Sequence, residues 1–209
     1  MSSDPARGLP RSTARRSTDV LTPFDDAAAT ADVIASTQRW LERAVIGLNL
    51  CPFAKAVYVK RQIRYAVTAA TTADLLLAEL RHELELLGQA NPEEIDTTLL
   101  IHPQVLNDFI DYHMFLKEAD AAIRNLGQEG SLQIASFHPA YEFAGIAPDD
   151  IANCTNRSPH PMLHLLREAS IDRAVAAFPD AAAIYERNIE TLRRLGHEGW
   201  RRLWTPGPG

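Results

Sequence analysis

Two cysteines in 209 residues are too few for the disulfide framework of a small secreted protein, so Cys51 and Cys154 read as free thiols in a reducing cytoplasm. No apolar run approaches the roughly 18–20 residues that span a bilayer. The first thirty residues lack the apolar core of about 7–15 residues that marks a secretory signal. Basic residues are outnumbered, 21 Lys and Arg against 27 Asp and Glu, and the net charge of −6 removes any global attraction to nucleic acid or acidic membranes. Only Lys55, Lys60, Arg61 and Arg64 form a local basic cluster, and a weak one. There is no glycine-rich phosphate loop, no His-Glu-x-x-His and no internal repeat. These absences argue against a membrane-spanning protein, a disulfide scaffold and a standard nucleotide site. Neither nucleic acid nor membrane is expected as a partner, and the expected location is the cytoplasm.

What remains has the balance of a globular protein, with 46% apolar and 23% charged residues. Residues 1–31 are rich in Ser, Thr, Arg, Pro and Ala and read as a disordered tail, because they cannot offset their ordering entropy by burial. Residues 32–204 read as one domain, followed by a short tail at 205–209. Helical spacing begins at Asp32, with Asp32 or Ser36 as cap, and must end before Cys51-Pro52. Gln62–Thr68 alternates as a half-exposed strand. Thr72 opens a helix that Gly88 stops. Thr97–Ile101 and Leu132–Phe137 are short, nearly continuous apolar runs, the mark of interior strands, and Leu106–Leu126 between them is a long helix. Further helices are expected from Ser158 or His160 to Glu168, over Ile171–Phe178 and over Ala181–Leu195. Strand–helix–strand units of this length predict an α/β fold, a small and mainly parallel sheet of three or four strands flanked by helices. The alternative is a ferredoxin-like α+β sandwich, with Ala56–Lys60 as its extra antiparallel strand.

Each interior strand ends in His-Pro, at His102-Pro103 and His138-Pro139. Parallel strands would place both histidines at one carboxyl edge, where open α/β sheets keep ligands. They would then form an acid/base pair or share a divalent metal with His164, while the alternative is that each bonds a loop carbonyl. Glu142 and Cys154 complete the catalytic candidates; Cys51 is weighed in the same way as Cys154. Asn153, Asn156, Arg157 and Ser158 precede the expected helix at His160, so side-chain donors, an arginine fork and a helix start would bind an anion, with Tyr141 and Arg167 as further contacts. His160, His164 and Glu168 would share one helical face as a weaker metal candidate. His82, His113 and His197 read as packing or solvent residues.

The series Leu50-Cys51-Pro52-Phe53-Ala54, Ile101-His102-Pro103, Phe137-His138-Pro139-x-Tyr141-x-Phe143 and Asn156-Arg157-Ser158-Pro159-x-Pro161-x-x-His164-x-Leu166-Arg167-Glu168 resembles an uncharacterised bacterial family, the domain of unknown function numbered fourteen-fifteen, from about Ser36 to Leu195. The resemblance implies one intact domain and transfers no activity. The residues themselves lead to the expectation of an enzyme acting on a small anionic molecule. A non-catalytic ligand-binding or regulatory protein and an interaction scaffold are the competing classes.

Overall fold

The computed structural model describes residues 27–176 and 183–204. Most of the expected N-terminal tail, the C-terminal tail 205–209, the expected helix end at Phe178 and the expected helix start at Ala181 lie outside them. The first helix, α1 (Ala27–Trp40), begins five residues before Asp32, in an alanine-rich turn of high helix propensity. Asp32 and Ser36 are therefore interior to the helix, and the Ser36 hydroxyl donates to the Val33 carbonyl. At Leu41 the helix widens into a π-helical segment, Leu41–Ile46. Gly47 N–H reaches back five residues to the Glu42 carbonyl at 2.9 Å, and Leu50 N–H does the same to Val45 at 2.9 Å. A Cβ at Gly47 would lie 2.4 Å from the Arg43 carbonyl oxygen, so the segment closes only over glycine. Asn49, at φ 55°, then turns the chain out. Ala54–Val59 is a short helix, α2, and not the extra strand of the sandwich alternative.

β1 (Ile63–Val67), α3 (Ala73–Gln89), β2 (Thr97–Ile101), α4 (Phe109–Asn125) and β3 (Leu132–Phe137) follow in the expected order. Thr72 caps α3 by accepting from Leu75 N–H, and Asp108 caps α4 by accepting from Ile110 and Asp111 N–H. The fold departs from expectation at residues 160–168. The expected helix there is a strand, β4 (Met162–Arg167), inserted antiparallel between β2 and β3. The sheet order is β1-β2-β4-β3, and β1–β2 is its only parallel pair, so the sheet is mixed and not mainly parallel. The run Met-Leu-His-Leu-Leu-Arg is apolar enough on both faces to hide its period, and Pro161 stands just outside the ladder where its missing N–H costs nothing. Because β2 and β3 both oppose β4, they still point the same way.

α5 (Glu168–Ala176) follows β4 directly, and α6 (Ile184–Arg202) runs beyond Leu195 with a break at Gly196, φ 66°. Strand alternation divides the core into two layers. Leu100, Leu163 and Leu165 pack with Leu76, Leu80, Tyr112 and Phe115 of α3 and α4. Leu99, Ile101 and Met162 pack with Trp40, Leu41 and Val45 on the other face. Between β1 and α3, the Arg64 fork grips the buried Glu83 carboxylate at 2.8 and 2.9 Å. No helix among the described residues is long and apolar enough to cross a membrane.

Candidate functional site

The common direction of β2 and β3 brings His102 and His138 to one sheet edge, on either side of the start of β4. His102 N–H donates to the Pro161 carbonyl at 3.0 Å, and the Tyr112 ring lies 5.8 Å from His102 and 5.0 Å from His138. The surrounding carbonyls fix both tautomers, since a carbonyl only accepts. His102 Nδ1–H donates to Val105 O at 3.0 Å, which leaves Nε2 as a buried acceptor without a partner. His138 Nε2–H donates to Leu106 O at 3.1 Å while Nδ1 accepts from Ala140 N–H at 3.0 Å. Burial pushes the His102 pKa down to about 4 and lowers that of His138. Both imidazoles are thus held neutral, and both brace the loop after β2, where Leu106 takes φ 57°.

The polar loop is committed in the same way. Asn153, fully buried, accepts from Phe143 N–H at 3.0 Å and donates to Ala147 O at 2.8 Å. Asn156 donates to Ser136 O at 3.0 Å. Arg157 directs Nε to Tyr141 O at 3.1 Å and Nη2 to Pro148 O at 2.7 Å. Ser158 donates to His160 O. Tyr141 touches Ser136 Oγ through its hydroxyl, and its ring meets Phe109 and Phe143; Glu142 is exposed. Burial raises the Cys154 thiol pKa against the opposing pull of Arg157. The stretch after Ser158 enters a strand, so the helix N-terminus expected above Arg157 does not exist there. Arg167 lies elsewhere and donates through Nη2 to the Leu87 and Ala90 carbonyls at the end of α3 and to the Ile95 carbonyl just before β2.

Strand geometry also undoes the helical face of His160, His164 and Glu168. His160 Nε2 meets Ser36 Oγ at 2.8 Å. His164 faces the α1 side, opposite His102 and His138, so the structure does not bring the three expected metal ligands together. Among the described residues, no three His, Cys, Asp or Glu side chains cluster as around a metal ion.

On this α1 face His164 lines a cavity of about 720 Å³. Its walls are mostly apolar: Trp40, Leu41 and Val45 from α1 and the π-helical segment, Pro52-Phe53-Ala54, Leu99 of β2, and Ala135 and Phe137 of β3. Cys51, Thr97 and Gln62 add polar atoms, and exposed Lys60, Glu93 and Arg173 stand among the lining residues. The hydrogen bonds fix the His164 tautomer. Thr97 Oγ1 donates to Leu165 O at 2.6 Å, so its contact with His164 Nε2 at 2.7 Å is donated by the imidazole. Nδ1 is then the ring's only acceptor. Burial pushes the His164 pKa down to about 4, which keeps the ring neutral. Burial also raises the Cys51 thiol pKa.

The sequence did not point to this cavity, because no spacing marks a space between layers. Two local signals were present: a histidine inside an apolar strand run, and Cys51-Pro52-Phe53 at the exit of a helix. Two comparisons found no counterpart: neither a curated protein nor a solved structure matches the chain. The chain matches the family described as protein of unknown function (DUF1415) over residues 32–202, and it belongs to that family.

Proposed function

We propose that the cavity on the α1 face binds a small, largely apolar organic anion and that His164 Nδ1 is the group that meets its reactive end. The observation that carries this reading is the neutral imidazole with Nε2–H locked on Thr97, set in the wall of a cavity of about 720 Å³. Small-molecule sites typically enclose about 300–1,000 Å³, lined by apolar side chains with a few placed polar groups. A neutral Nδ1 accepts a hydrogen bond or a proton from a hydroxyl or an acidic carbon, the role of a general base. The π-helical segment in the cavity wall, a rare geometry that recurs at functional sites, supports an enzyme over a passive binding protein. The carboxyl-edge histidines take a bracing role in this reading, since three of their four ring nitrogens already have backbone partners.

Isothermal titration with decanoate as probe tests the reading. Saturable binding to one site is expected; 10-hydroxydecanoate, whose hydroxyl can donate to Nδ1, should bind about tenfold tighter than decanoate, roughly 1.4 kcal/mol, and His164→Gln should remove that advantage with the melting temperature little changed. Binding that is equally tight in His164→Gln and in a cavity-filling Ala135→Trp variant would overturn it.

A further inference from the structure

The cavity adjoins a second, polar pocket of about 340 Å³. Pro92, Ser170 and Arg173 line both spaces. The remaining wall of the smaller one includes Arg167, Gln128, Gly130 and Ser131. Two arginines therefore line one small space, from different elements. Arg167 ends β4 and is anchored by Nη2 on carbonyls at the end of α3 and just before β2, while its Nε is buried without a partner. Arg173, on α5, is exposed and donates through Nη2 to Ser170 Oγ at 2.9 Å. Ser170 in turn donates to Asp96 at 2.6 Å. Across both spaces three cations, Lys60, Arg167 and Arg173, face two carboxylates, Glu93 and Asp96, in a chain whose net charge is −6. The local excess is thus positive where the whole protein is negative. A planar guanidinium fork suits the two oxygens of a carboxylate or phosphate.

We propose that this polar pocket holds the anionic group of the ligand whose apolar body fills the larger cavity. The ligand class is then an elongated amphipathic anion, a carboxylate or phosphate monoester on a hydrocarbon or ring body. Arg167 follows His164 by three residues on β4, roughly 10 Å at about 3.3 Å of rise per residue, and this odd spacing puts it on the α3 side of the sheet, so Ser170 and Arg173, which line both spaces, join the compartments around the strand end. The group that meets Nδ1 is accordingly well separated from the charged end, and the ligand spans the two compartments through Ser170 and Arg173. This assignment rests on the cavity reading above and adds the nature and place of the head group.

The test titrates the full chain with decanoate, decyl phosphate and neutral decanol. Wild type should bind at least one of the two anions about tenfold or more tighter than decanol, and the better anion identifies the head group. Arg173→Gln, an exposed helix substitution, should abolish that preference while leaving decanol affinity within about twofold. Lys117→Gln, which removes an exposed charge on α4 away from both spaces, should preserve the preference. Equal affinity of wild type for all three probes, a preference that survives Arg173→Gln, or an equal loss of all three in that variant would each overturn the polar subsite and leave the cavity standing. Failure of every probe to bind wild type would remove the cavity reading itself, and the subsite with it.

Discussion

The two faces of the sheet treat polar groups in opposite ways. At the carboxyl edge, on the α4 side, polar residues are dense and nearly all committed. Asn153, Asn156, Arg157 and His138 each hold backbone groups of the loops they stand among. On the α1 side polar residues are few and the space is open, and His164 has one ring nitrogen fixed and the other uncommitted. A knot of polar side chains that answers carbonyls and amides stiffens a loop crossing. A lone polar group on an apolar wall, held rigid by one bond, is better placed to meet a ligand. Density of chemistry-bearing residues in sequence is therefore a poor guide to a site, and uncommitted valence beside open space is a better one: His102 Nε2 is uncommitted too, but it is fully buried, whereas His164 lines a cavity.

The largest effect separating the faces is expected from Asn153→Ala. It leaves the Phe143 N–H and the Ala147 carbonyl without their buried partner. Each unsatisfied group costs about 1–3 kcal/mol, so a loss of about 3 kcal/mol is expected in urea unfolding. Decanoate affinity of the folded variant should stay within about twofold. A large loss of affinity with little loss of stability would put function back at the carboxyl edge.

Acid divides the faces next. His102 and His164 are both pushed down to about 4, from opposite sides of the sheet. The unfolded chain takes up protons near pH 6.5, whereas the folded chain does not until about pH 4. Stability is therefore fully present above about pH 6.5 and falls as the pH drops towards 4, by up to about 1.4 kcal/mol per pH unit for each such histidine. His164→Gln should remove one such contribution from the slope. By imidazole NMR, both rings should stay neutral in the folded chain down to about pH 4, and decanoate should shift the resonances of His164, which borders the cavity, while leaving those of fully buried His102 in place. A decanoate shift confined to His102 would put the ligand at the carboxyl edge and break the contrast.

Much of the fold was legible, and the reasons are local. Thr72 announces a helix start by its side-chain oxygen, and Thr97–Ile101 announces a buried strand by an unbroken apolar run; the start of α4, expected at Leu106, falls instead after its cap Asp108, with Leu106 at φ 57° in the loop before it. β4 was not legible, because three polar residues at helical spacing, His160, His164 and Glu168, outweighed a six-residue run without period. Pairing with two neighbours decided the matter, and pairing is a tertiary fact. At the carboxyl edge, the common placement of His102 and His138 followed from two like-directed strands. Their partners did not, since Val105, Leu106 and Ala140 contribute backbone atoms that carry no sequence signal. The cavity was hidden for a related reason. Its wall joins Trp40, Cys51, Leu99, Phe137 and His164, residues up to 124 positions apart in sequence.

The smallest expected change in stability gives the sharpest contrast. Ala135 sits opposite His164 in the β3–β4 register and lines the cavity. Replacing it by leucine extends apolar carbon into open space instead of into packed neighbours. A buried methylene is worth about 0.8 kcal/mol, offset by lost rotamer freedom and by any crowding of Phe137. Ala135→Leu is therefore expected to leave stability unchanged or to raise it by up to about 1 kcal/mol, read from urea unfolding. The same substitution occupies the volume a ligand needs, and decanoate affinity should fall at least tenfold. Gain of stability with loss of binding is the behaviour of a functional cavity. A loss of both would mean that the space closes in solution and that the α1 face is packed as tightly as the edge it is contrasted with.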